Sequence, residues 1–103
     1  MTTDTQPSIE TSLVALSSTL RISDIAEFKQ TCDSVLESAP QTAVACDASA
    51  VEFIDAAALQ YLVALSRHCA SQQRGFAIRE PSAAFISAVT VSGFAVPLGL
   101  AAN

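Results

Sequence analysis

Residues Val44–Gln60 read VACDASAVEFIDAAALQ, and the fold is decided there. The run Thr42–Cys46, TAVAC, is short and uncharged, which suits a strand buried on both faces. Asp47-Ala48-Ser49 ends it, and Asp and Ser at a strand end satisfy local backbone donors. Val51, Phe53 and Ile54 are then expected to return to the core, with Glu52 outward. Asp55 closes this loop and caps the longest helix, expected over Ala56–Ser71. An acidic side chain there accepts from first-turn N–H groups and complements the helix dipole.

At about 100° per residue this helix sorts into two sides. Ala58, Leu59, Leu62, Val63, Leu65, Ser66, Cys69 and Ala70 form a broad apolar side that should pack on a sheet. Ala57, Tyr61, Ala64 and His68 recur at i, i+4, i+7 and i+11 on the other side, rimmed by Gln60 and Arg67. Small residues beside an aromatic and a histidine let another backbone approach, so one reading is a protein-binding ridge. The other is that alanine is a good surface helix former and Tyr61 half packs on a neighbour. The composition leaves both open.

Upstream, SLVALSSTLRI from Ser12 to Ile22 reads as two short strands or one bent strand. Ser23 or Asp24 then caps a helix, with Glu27 three residues after Asp24 as in a capping box. Ile25, Phe28, Cys32, Val35 and Leu36 form its apolar stripe, and it should stop near Ser38, before Pro40. Downstream, Gln73-Arg74-Gly75 reads as a turn with Gly75 ending the main helix. Phe76-Ala77-Ile78 is a further strand. Ser82 caps a last helix through about Ser92, with Phe85, Ile86, Val89 and Thr90 inward and Gly93 closing it. Phe94–Leu100 is expected to be extended, with Pro97 placing it at an edge. Residues 1–10 are expected to form a flexible tail and residues 11–103 one domain. The fold class is therefore α/β, a small mixed β-sheet of four to five strands with about three helices packed against it.

Bulk composition excludes several functions. Five Lys+Arg stand against ten Asp+Glu in 103 residues, and the formal net charge is -5. Nucleic acid and anionic membrane surfaces both require a basic face, so neither is a partner. Cys32, Cys46 and Cys69 are odd in number and lack C-x-x-C spacing, and His68 is the one histidine. This suggests reduced core thiols rather than disulfides or a metal site, which fits the cytoplasm. The first ten residues carry no secretory-signal pattern. Pro81–Asn103 has no charged side chain, but Gly93, Pro97 and Gly99 break it, so membrane insertion is not expected. Glycine occurs only at 75, 93 and 99, so there is no phosphate loop, and no nucleophile–base arrangement surrounds His68. Asp47 and Asp55 have capping roles rather than those of a catalytic pair. The expectation is a non-enzyme without cofactor or metal.

The central stretch resembles the STAS domain family, which includes bacterial anti-sigma-factor antagonists. In that family a buried strand ends in Asp-x-Ser, a hydrophobic stretch follows, and Asp-Ser-Ser-Gly-Leu begins a helix. Asp47-Ala48-Ser49, Val51–Ile54 and Asp55-Ala56-Ala57-Ala58-Leu59 match these three parts. The likeness spans roughly residues 12–100, through LSSTLRI, Gly75-Phe76 and the closing Ser-Gly-Phe. It implies a small mixed sheet with packed helices and a protein-binding, mostly non-enzymatic role.

In the antagonist branch the second serine of Asp-Ser-Ser-Gly is phosphorylated, and the complex breaks. A phosphate adds about -2 charge inside an interface. Here Ala57 stands at that position and Asp55–Leu59 holds no hydroxyl, so the resemblance implies docking without the phosphoserine switch. It implies a partner-binding surface of Asp55, Ala57, Gln60, Tyr61, Ala64, Arg67 and His68. Partners are then a kinase-like, response-regulator or ATPase-like protein in a bacterial signalling pathway such as chemotaxis. The alternative is the ATPase of a phospholipid-transport ABC system, for which the chain would be the STAS subunit. A second copy of the chain, or a small apolar ligand, completes the set. Tyr61→Ala and Ala64→Glu are both expected to abolish binding without unfolding the chain.

Overall fold

The computed structural model describes residues 11–100. The tail expected at residues 1–10 therefore lies outside the described residues, as do residues 101–103. In chain order the elements are β1 (Thr11–Ala15), β2 (Thr19–Leu20), a short 3-10 turn (Ile22–Asp24), α1 (Ile25–Ser38), β3 (Ala43–Asp47), β4 (Phe53–Ile54), α2 (Ala56–Ser71), β5 (Phe76–Arg79) and α3 (Ala83–Ser92). The α/β class and the three helices agree with expectation, and the strand number falls within the four to five expected although β4 was not among the strands read. All pairings among the described strands are parallel: β1 with β3, β3 with β5, and β2 with β4.

β1 and β2 share a partner segment. Leu13 lies opposite Ala45, and Leu20 opposite Ile54, so residues 11–20 run beside residues 43–54 as one interrupted ladder. The interruption carries the first two strands apart. Ser18 bridges it by accepting from the N–H groups of Glu52 and Phe53. Parallel neighbours need crossovers, and α1 and α2 supply them between β1, β3 and β5. Right-handed crossovers running in one direction put both helices on one face. Val14, Cys46 and Ile78 are in register and buried on it. The other face carries Leu13, Ala45 and Ala77, with Leu13 exposed. β3, the middle strand, is the most completely enclosed, at 0–2% exposure for Val44, Ala45 and Cys46.

Several details differ from expectation, each for a physical reason. Phe53 is exposed, because the two-residue alternation of β4 turns it away when Ile54 goes inward. Asp24 does not cap α1. Its carboxylate instead accepts from the Arg21 N–H at 2.9 Å and closes the 3-10 turn. α2 is ended by Gln73 in the left-handed region (φ 59°), with the Arg74 N–H returning to the Cys69 carbonyl. Gly75 serves close approach instead, since a β-carbon there would sit 3.3 Å from that of Ala43. Ile86 and Thr90 are exposed, while Phe85 and Val89 are fully buried. The segment 94–100 is not extended. Gly93 (φ 79°) ends α3, and successive turns follow in which Leu98, Gly99 and Leu100 donate to Phe94, Val96 and Ala95. Pro97 has no N–H for a sheet ladder, and Gly99 (φ 75°) takes a backbone conformation that favours turning.

Candidate functional site

α2 begins where β4 ends, and Asp55 fixes the junction. One carboxylate oxygen accepts from the Ala58 N–H at 3.0 Å, which caps the helix. The other accepts from the Ile22 N–H at 2.9 Å, across 33 residues of sequence. Asp55 is thus engaged on both oxygens, and its role is to hold the turn after β2 against the first turn of α2. Because Leu20 pairs with Ile54, the C-terminal ends of β2 and β4 deliver Ile22 and Ala56 to the same edge. Ile22 is 71% exposed there and Phe53 49%. The Arg21 guanidinium lies over the Phe53 ring, 5.8 Å from its centre. Ala56 is exposed and Ala57 partly so. This end of the molecule is an apolar patch around a helix N-terminus.

The remaining residues of the expected surface lie further along α2. From Ala57 to His68 the rise is about 16 Å. Gln60, Ala64, Arg67 and His68 are exposed, and Tyr61 is partly buried. Tyr61, Ala64 and His68 form one wall of a groove of about 330 Å³, whose other wall is Lys29, Asp33 and Leu36 of α1. The groove continues toward the end of α1 past Glu37, Pro40, Gln41 and Gln72. The surface is therefore not one ridge. It is an apolar patch at the start of α2 and a mixed polar groove beside its second half.

Tyr61 follows the second of the two readings left open, half packing on a neighbour, rather than the free ridge position. Its ring meets Phe28 edge-on at 5.6 Å and 79°. Burial, together with the Cys32 thiol, raises its phenol above the ordinary range. It is a packing residue with one side in the groove, so removing it perturbs the core as well as the surface. Ala64 is exposed and carries no such burden.

The Asp47 carboxylate accepts from the Ser49 N–H at 2.9 Å, which keeps it below its ordinary pKa. This is the local capping role expected of it. Cys32, Cys46 and Cys69 are free and buried. Burial pushes the Cys32 thiol up to about 11 and the Cys46 thiol up to about 12. Thiols held protonated in this way are poor nucleophiles and poor metal ligands.

The sequence reading missed Ile22 and Phe53. The signal for Phe53 was present in the pairing period, since Ile54 could enter the core only by turning its neighbour out. Ile22 had no comparable signal, because its place depends on the long-range bond to Asp55.

A family model described as "Mlab, STAS domain" matches residues 3–100. No curated protein and no solved structure matches significantly.

Proposed function

Given that the chain belongs to the STAS domain family, whose members are generally non-catalytic regulatory modules that interact with proteins, we propose that it docks a protein partner through the exposed start and outer side of α2. The observation that carries this reading is the exposed Ala56 and partly exposed Ala57 at the start of α2, near the exposed Ile22 and Phe53, with no hydroxyl from Asp55 to Leu59. Exposed apolar residues around small ones accept a partner's backbone and side chains closely. Without a phosphoacceptor at 57, docking is not switched off there by phosphorylation. Gln60, Ala64, Arg67 and His68 extend the contact along the helix, and Asp55 positions it.

In the first form of this reading the partner is a regulator of bacterial signal transduction. In the second it is the ATPase of a phospholipid-transport ABC system. The second draws support from the matched family description, which names Mlab. In both, the domain occupies residues 11–103 and works in the cytoplasm. No helix among the described residues is long and apolar enough to cross a membrane.

Affinity capture of the tagged chain from its source cells, read by mass spectrometry, tests the proposal. Wild type is compared with Ala64→Glu and Phe53→Glu. Both positions are exposed, so both variants should retain thermal stability. Loss of a kinase-like or response-regulator protein from the variants supports the first form. Loss of an ABC ATPase with its permease supports the second. Unchanged capture by both variants would falsify the α2 surface.

A further inference from the structure

We draw no further inference here: the strongest candidate, the groove between α1 and the second half of α2, holds charges of both signs in Lys29, Asp33 and Glu37, and its buried Arg74 already donates to the Leu36, Ala39 and Thr42 carbonyls, so nothing in the structure shows what covers it.

Discussion

Arg74 has a planar fork of donors and almost no access to water, at 7% exposure. Its partners are carbonyls. Nε donates to Thr42 at 2.9 Å, Nη2 to Ala39 at 2.8 Å and Nη1 to Leu36 at 3.3 Å. These carbonyls lie at and just beyond the end of α1, where helix geometry leaves acceptors unpaired and the dipole favours a cation. Arg74→Met should cost about 2 kcal/mol in urea unfolding, since the part-buried Leu36, Ala39 and Thr42 carbonyls each lose a donor. Arg74→Lys should recover about half of that, because an ammonium lacks the fork. The sequence hid this role. Gln73-Arg74-Gly75 has the composition of a solvated turn, and the carbonyls it serves lie 32–38 residues away. Tyr61 was half legible, since packing on a neighbour was one of its two readings. Its helical position faces outward, but α1 comes alongside and covers it. Tyr61→Phe should therefore melt close to wild type, and Tyr61→Ala should lose about 3 kcal/mol.

At the scale of elements, α2 was legible from its Asp55 cap to about Ser71, though not in the residue that ends it. Its cap and its apolar period are both local signals. Asp55→Ala should cost about 2 kcal/mol, through the lost cap and the unpaired Ile22 N–H. Asp55→Asn should cost less, because one oxygen still accepts. The extra consequence of Asp55→Ala is positional. Ile22 is no longer tied to α2, so its amide should gain hydrogen-exchange rate more than the amides of β3. Equal change at both would mean that the bond is not a tether. α3 was legible at its ends, with Ser82 accepting from Phe85 and Gly93 in the left-handed region. Its inward side was only half legible. A helix whose residues are nearly all apolar or small has no clear polar side to mark the outside, so Ile86 and Thr90 were assigned inward. β4 was missed as a strand because two residues carry no period of their own.

For the molecule as a whole, the order of strands and helices followed from local patterns, whereas the joining of β1–β3 and β2–β4 into one interrupted ladder did not. That joining depends on the different lengths of residues 16–18 and 48–52, which no local period reports. Cys32, Cys46 and Cys69 lie on α1, β3 and α2, so their burial depends on the whole assembly. Iodoacetamide should label all three at one common rate, set by global unfolding. Distinct rates would reveal local opening. Alkali should also destabilise the fold. An unfolded cysteine ionises near 9.0, but Cys32 and Cys46 hold their protons to about 11 and about 12. Between those values the folded state binds more protons, so stability is intact below about pH 9 and falls as pH rises through that window. Unfolding midpoints from pH 8 to 11 would display the slope, and Cys46→Ala should reduce it.

The clamp formed by Arg74 also sets an order in time. The ribosome adds about 5–20 residues per second. The 32–38 residues between Arg74 and its acceptors take about 2–8 s to make at that pace. Through that interval the end of α1 has only its local donors, such as Thr42 on the Ala39 carbonyl, and lacks the guanidinium. Its last turn is a late-setting joint of the nascent chain, closed by a side chain from the turn that follows the next helix.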